Sequence, residues 1–293
     1  MSSRRRQSNE PTRVRFDHAI GRYVHLDLDG VEHRVYFEES GAGVPLLLQH
    51  TAGADGRQWR HVLEDEALRA HFRMIAYDLP FHGKSVPPTS RKWWAEEYRL
   101  TRAFLMSVPT TLARTLDLEG PVYMGSSIGG HLAIDLALHF PGFFRAVVGL
   151  EASAHTPGGY VDEFYHPEIS NDFKAHLMYG LMSPSSPDAF RHETRWVYSQ
   201  GAPAVFKGDL YYYSIDHDVR ETAQKIDTNR TSVDILNGEY DWSGTPELGE
   251  ALAKLIPGAR YQTMKGLGHF PMSEDPARFL DVIRPVLLRI AGR

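Results

Sequence analysis

Six strand-length runs, alternating with longer stretches of helical character, are what most constrains this chain. The runs are Val44–Gln49, Phe72–Tyr77, Pro121–Met124, Ala146–Leu150, Ser232–Leu236 and Arg260–Met264. The helical stretches are Gln58–Ala70, Ala95–Leu116, Ile128–Phe140, Glu247–Leu255 and Pro276–Ala291. Parallel strands covered by helices on both faces read as short apolar runs, because neither face meets water. The alternation therefore predicts an α/β protein with a largely parallel sheet. Ahead of it, Tyr23–Leu28 and His33–Glu38 alternate around Asp29-Gly30, the pattern of a hairpin with a two-residue turn. In the last helical stretch Phe279, Val282, Ile283, Val286, Leu287 and Ile290 recur at helical spacing, and Pro285 predicts a kink there.

Between Glu151 and Asn229 the rhythm stops. This segment holds Gly158-Gly159, a Ser/Pro-rich stretch at 183–187, and 12 of the 33 aromatic residues. It reads as an inserted lid of helices and loops. The resulting division is an N-terminal tail at 1–15, a core at 16–150 and 230–293, and a cap at 151–229. The tail carries Arg4, Arg5, Arg6, Arg13 and Arg15 and has no apolar stretch of the kind a secretory leader needs.

Composition narrows the chemistry. Cysteine is absent, so a thiolate nucleophile, a Cys-ligated zinc and a disulfide scaffold are excluded. With 32 basic and 37 acidic residues the net charge is −5, which argues against nucleic acid as a partner. No apolar run reaches the ~18–20 residues of a membrane span. A cytoplasmic protein acting on a small molecule, with no metal and no cofactor, is expected; homo-oligomerisation is left open. None of the 15 histidines falls in firm metal-ligand spacing.

The most informative stretch is Pro121-Val-Tyr-Met-Gly-Ser-Ser-Ile-Gly-Gly-His131. A short strand runs into G-x-S-x-G and at once into a helix. A serine hydroxyl is a weak nucleophile and has to be exposed beside a base. A sharp strand-to-helix turn lifts Ser127 above the sheet, and Gly125 and Gly129 remove side chains from the bend. The free N–H of Ile128 at the helix start can face a developing oxyanion. Ser126 is the alternative nucleophile.

A serine nucleophile needs a proton acceptor, and the acceptor needs an orienting carboxylate. Both are expected after late strands. Ser232–Leu236 is followed by Asn237-Gly-Glu-Tyr-Asp241, and Arg260–Met264 by Gly266-Leu-Gly-His269-Phe-Pro271. The order Ser127, Asp241, His269 is that of nucleophile-elbow hydrolases. Glu239 and Glu151 are rival acids, and Glu151 otherwise reads as a pocket-wall residue or a hydrogen-bond anchor at the lid entrance.

Four blocks together resemble the α/β-hydrolase superfamily, from about Arg22 to Ile290. They are His50-Thr-Ala-Gly53 after the first parallel strand, Asp78-Leu-Pro-Phe-His-Gly-Lys-Ser85, the turn around Ser127, and the pair Gly238–Asp241 with Gly268–Pro271. The resemblance implies an eight-stranded, mostly parallel sheet flanked by helices, with a helical cap after the sixth strand. It also implies a second oxyanion donor in the His50 loop, the N–H of Ala52 or, next, of Thr51. The chain departs from the family where Thr51 and Phe81 replace the usual glycines and where Ser126 replaces a common histidine.

The function expected is hydrolysis of a carboxylic ester or lactone through an acyl-enzyme on Ser127. The alternatives are a carbon–carbon bond hydrolase of ring-cleavage diketones with the same three residues and, more remotely, a catalytically silent ligand receptor. His50, Ser126, Glu151, Trp196 and Tyr212 are expected in the substrate pocket. Other lid aromatics, among them Phe164, Tyr165, Tyr179, Tyr198, Tyr211 and Tyr213, suggest either an apolar or aromatic substrate or a core of the lid itself; Trp59, Trp93 and Trp94 could also line the entrance, although core packing is the favoured reading of each. Arg191 and Arg195, four residues apart, could bind a substrate carboxylate, although a solvated helix face is the favoured reading.

Overall fold

The computed structural model describes residues 15–292. The tail expected at 1–15 lies, apart from Arg15, outside the described residues. Eight strands form one sheet: β1 (Ile20–Leu28), β2 (Val31–Ser40), β3 (Val44–Gln49), β4 (Phe72–Tyr77), β5 (Val122–Ser126), β6 (Ala146–Leu150), β7 (Ser232–Gly238) and β8 (Arg260–Met264). Their spatial order is β1-β2-β4-β3-β5-β6-β7-β8. The β1–β2 and β2–β4 pairs are antiparallel, and every later pair is parallel. The first two strands turn at Asp29 and Gly30, both with positive φ (53° and 75°), as a tight hairpin turn requires.

The helices are α1 (Arg60–Leu63), α2 (Glu66–Arg69), α3 (Arg102–Thr115), α4 (Ile128–His139), α5 (Asp172–Gly180), α6 (Asp188–Ser199), α7 (Pro203–Tyr211), α8 (Pro246–Leu255), α9 (Pro271–Glu274) and α10 (Pro276–Ala291). Three of them, α5 to α7, lie in the insertion between β6 and β7. Successive strand residues alternate between two apolar cores on opposite faces of the sheet. Leu47, Ile75 and Val147 pack on one side, and Leu46, Leu48, Met74 and Val148 on the other. This two-sided burial is why the strands read as unbroken apolar runs.

Two helical bounds are corrected. Gln58–Ala70 is not one helix: a 3₁₀ turn at Gly56–Trp59 leads into α1, and Asp65 accepts from Leu68 N–H to start α2 afresh. The stretch from Ala95 becomes helical only at Arg102, where the Thr101 side chain caps the first turn by accepting from Phe104 N–H. The final helix runs unbroken across Pro285, which faces solvent, while Phe279, Ile283, Val286, Leu287 and Ile290 bury the opposite stripe. Trp59 is a core residue packed near Phe279, with ring centroids 6.4 Å apart, and does not line an entrance.

Helix α4 sits unusually close to β6. A Cβ added at Gly130 would lie 2.0 Å from the Leu150 carbonyl oxygen and 3.0 Å from its carbon. Backbone cannot step aside as a flexible side chain can, so Gly130→Ala should lower stability by about 1–3 kcal/mol, an overpacking cost. The shift of the urea midpoint at constant slope checks it.

Candidate active site

The C-terminal edge of β5–β8 gathers one candidate group from each strand, where an open α/β sheet leaves its crevice. At the end of β5, Ser127 takes φ +58°, ψ −112°, a region that L side chains rarely occupy. The strained turn directs its hydroxyl away from the strand and onto the His269 ring: Ser127 Oγ lies 3.0 Å from His269 Nε2. The other ring nitrogen, Nδ1, is 2.6 Å from Asp241 Oδ2. Asp241 follows β7, and its second oxygen accepts from Ser243 N–H at 2.8 Å. All three side chains are buried or nearly so.

Electrostatics separates the carboxyls. Burial pushes Asp241 up, but the charge and hydrogen bond of His269, with further hydrogen bonds around it, outweigh that and hold its pKa below the usual range. Glu151, immediately after β6, is buried completely. Burial first, then the adjacent Asp241 charge and the hydrogen bond between the two, raise its pKa well above the ordinary carboxyl value. Its two oxygens accept from Gly238 N–H at 3.1 and 2.9 Å. Glu151 is therefore a neutral acid beneath Asp241 and not a pocket-wall residue. Glu239, the other rival acid, points to the surface, pairs with Lys265 at 3.0 Å and accepts from Gly266 N–H at 2.9 Å.

The His50 loop is clamped on both sides of Ala52. Thr51 N–H donates to Gln58 Oε1 at 3.0 Å, and Gly53 N–H donates to Asp209 Oδ2 at 2.7 Å. Thr51 is thus corrected as an oxyanion donor, because its amide is already engaged. Among the described residues, the amides of Ala52 and Ile128 have no hydrogen-bond partner within the chain.

A cavity of about 320 Å³ opens onto Ser127, His269 and Ala52. Its wall is mostly apolar, with Phe164, Met178, Tyr198, Phe206, Tyr213 and Trp242 prominent. Among the described residues lining it there is no Asp, Glu, Lys or Arg.

None of the five residues expected in the pocket lines this cavity. His50 is buried beneath the loop, where Nδ1–H donates to Thr51 O (2.8 Å) and Nε2 accepts from Leu79 N–H (3.0 Å). Burial, with the neighbouring His82 charge, lowers its pKa to about 4 and keeps the ring neutral. Ser126 is a buried β5 residue whose hydroxyl has no partner among the described residues. Trp196 is 56% exposed on the outer face of α6. Tyr212 turns inward, donating to Asp135 Oδ2 at 2.7 Å, while its neighbour Tyr213 faces the cavity. Tyr165, Trp93 and Trp94 line a separate surface groove. Arg191 pairs with Asp188 and Arg195 with Asp172, away from the cavity.

Three buried residues that support the site were not singled out from the sequence. Gln58 and Asp209 hold the Ala52 loop. Glu274 brackets His269, accepting from Gly268 N–H at 2.6 Å and Phe270 N–H at 3.2 Å, as well as from Ser183 N–H at 3.1 Å in the insertion. Only Glu274 had a local signal: a carboxylate five residues after a candidate base, on a turn started by Pro271, returns to that loop's own amides.

A family model described as the alpha/beta hydrolase family matches residues 46–282, well over half of the chain, and the chain belongs to that family. An uncharacterized protein of Mycobacterium tuberculosis is 26% identical over 280 residues, covering 86% of this chain and 77% of that protein. A pimeloyl-acyl-carrier-protein methyl ester esterase of Vibrio vulnificus is 28% identical, covering 88% and 98%. A 2-hydroxy-6-oxononadienedioate/2-hydroxy-6-oxononatrienedioate hydrolase of Burkholderia vietnamiensis is 31% identical over 133 residues, 44% of each chain. Among solved structures, a thermophilic esterase from Thermogutta terrifontis superposes with a TM-score of 0.80 at 20% identity, covering 92% of this chain and 99% of that one. No helix among the described residues is long and apolar enough to cross a membrane.

The neutral Glu151 sets a pH dependence. In the unfolded chain its carboxyl ionises near 4.5, whereas in the folded chain it holds its proton to well above that. A raised carboxyl pKa favours folding most at low pH, and the advantage is lost as pH rises. Gln has no proton to lose. Glu151→Gln should therefore gain stability relative to the parent as pH rises from the unfolded carboxyl value towards the folded one, by up to about 1.4 kcal/mol per pH unit. Paired Tm measurements across that range check the direction.

Proposed function

We propose that, within this hydrolase family, the chain cleaves small uncharged carboxylic esters or lactones, with Ser127 as nucleophile, His269 as proton acceptor and Asp241 as its orienting carboxylate. The observation that carries this reading is the unbroken hydrogen-bond path Ser127 Oγ, His269 Nε2, His269 Nδ1, Asp241 Oδ2, opening onto a cavity with no charged wall. In the first half-reaction His269 takes the Ser127 proton as Oγ attacks the carbonyl carbon. The resulting oxyanion is stabilised by the free amides of Ile128 and Ala52. Collapse expels the alkoxide, which leaves with the proton from His269, and the acyl group stays on Ser127. Water, deprotonated by His269, attacks the acyl-enzyme and releases the acid. Asp241 stabilises the imidazolium at each proton transfer. The insertion between β6 and β7 serves as the cap, supplying most of the apolar wall. No cofactor enters the scheme.

The uncharged wall also weighs against a ring-cleavage dienedioate as substrate. Such a molecule carries carboxylates, and a carboxylate buried without a counter-charge is costly. Arg191 and Arg195, the two cations weighed as carboxylate partners, are paired elsewhere.

Steady-state assays on p-nitrophenyl acetate and butyrate test the reading. Turnover is expected, falling about 10⁴–10⁶-fold in Ser127→Ala and about 10⁴-fold in Asp241→Asn. Glu239→Gln should stay within about twofold of the parent, as a surface substitution does. A fluorophosphonate should label the parent and Ser126→Ala but not Ser127→Ala. Labelling of Ser127→Ala, or turnover of a dienol diketone with aryl esters untouched, overturns the proposal.

A further inference from the structure

Asp209 is a fully buried carboxylate on α7, and the chemistry above does not use it. It gathers donors from three separate segments. Gly53 N–H and His82 Nε2 both reach Oδ2 at 2.7 Å, and the Tyr98 hydroxyl donates to Oδ1 at 3.1 Å. The second ring nitrogen of His82 lies 2.9 Å from the Pro80 carbonyl oxygen. With an acceptor at each nitrogen, the surroundings favour the doubly protonated, cationic ring. Burial opposes that charge. The Asp209 charge and hydrogen bond, with the Pro80 carbonyl, outweigh burial and raise the His82 pKa.

This buried pair ends on the residue next to Ala52. Helix α7 grips Gly53 twice: through the Asp209 carboxylate, and through Phe206, whose Cδ2 and Cβ lie 2.8 and 2.9 Å from where a Gly53 side chain would begin. Gly53 has φ +63°. Gln58 holds the other side of the loop at Thr51. The amide of Ala52 lies between two fixed peptides and is left free. Phe206 and Leu210, on the same helix, wall the cavity.

We propose that Asp209, paired with His82, is a positioning residue that ties the oxyanion loop to the insertion, so that the Ala52 amide is aimed only while α7 is seated. The inference rests on the reading of Ser127 and Ala52 above. It gives α7 two coupled tasks, enclosing the acyl group and setting the donor that stabilises the oxyanion.

The test uses the full chain and p-nitrophenyl butyrate. Asp209→Asn keeps the shape but not the charge that holds His82 and Gly53. The expected result is a kcat lower by about 10²–10³, the usual loss for one oxyanion donor, with KM within about threefold. The rate of phosphonate labelling should fall in parallel, because that adduct needs the same donors. The downfield proton resonance of the His269–Asp241 hydrogen bond should persist, a result that general loosening of the site would not give. Should Asp209→Asn fail to fold, His82→Gln keeps an uncharged donor to Asp209 and should show the same kcat-selective loss at smaller size. An unchanged kcat in whichever variant folds, or a loss accompanied by disappearance of the His269 resonance, overturns the proposal. Ser127→Ala separates the two claims. If it is inactive and Asp209→Asn is unimpaired, only the positioning role falls; if Ser127→Ala retains turnover, the reading of the site falls.

Discussion

A staircase of backbone hydrogen bonds holds the candidate site together. Just past the end of β5, Ser127 N–H donates to Leu150 O of β6 at 2.9 Å. Just past β6, Glu151 N–H donates to Leu236 O of β7 at 2.9 Å, and past β7 Glu239 N–H donates to Met264 O of β8 at 3.0 Å. Each strand thus extends its parallel ladder by one residue before the chain turns away. The register of β5 to β8 then fixes the relative positions of Ser127 and of the loops that carry Asp241 and His269. Ser127 and Glu151 occupy equivalent steps, and both have positive φ, 58° and 56°. Such backbone persists only where its surroundings over-determine it. Here the constraint is the close approach of α4 to β6 at Gly130.

On this frame two carboxyls less than a strand apart take opposite states. Asp241 faces an imidazole and the amide of Ser243, which favour its charge. Glu151 is fully buried beside the Asp241 charge, which favours its proton and outweighs the opposing hydrogen bond from the Gly238 amide. Two adjacent buried negative charges would repel, so a neutral Glu151 is what allows Asp241 to stay ionised next to His269. The division of labour comes from environment and not from residue type.

Much of this was legible in the sequence, for identifiable reasons. Burial on both faces leaves a parallel strand as an apolar run, and β3, β4, β6 and β8 match their expected bounds residue for residue. Ser127, Asp241 and His269 stand out because chain order and strand ends are one-dimensional properties. The pocket wall was legible only in part: Phe164, Tyr198 and Tyr213, named among the lid aromatics, line the cavity, but the five residues expected in it do not. In the insertion, which face of a helix points inward depends on how α5, α6 and α7 pack, and local spacing does not encode that. Tyr212 and Tyr213 are neighbours, yet one is tied to Asp135 and the other lines the cavity. On α6, Trp196 faces water while Tyr198, two residues on, is buried against the Ala52 loop. Gln58 and Asp209 escaped notice for a related reason. Their partners are backbone amides, and Asp209 finds its own 156 residues away in sequence.

The departures from the family pattern at Thr51 and Phe81 follow from the same packing. Where relatives of this fold commonly place glycine, Phe81 holds φ +74°, a conformation costly for a bulky side chain. Its ring is compensated by packing 4.9 Å from Tyr98, the residue whose hydroxyl reaches Asp209. Thr51, in place of a glycine, contributes a hydroxyl bonded to both Gln58 and Tyr198. Both substitutions thus join networks that end at the His50 loop. A glycine-rich loop depends on backbone freedom to adopt its shape. This loop is shaped by side chains, several of which belong to the insertion. Asp209, Phe206 and Tyr198 of the insertion all contact it, so on the proposal that Asp209 positions the Ala52 amide, closing the cavity and shaping the loop are one structural event instead of two.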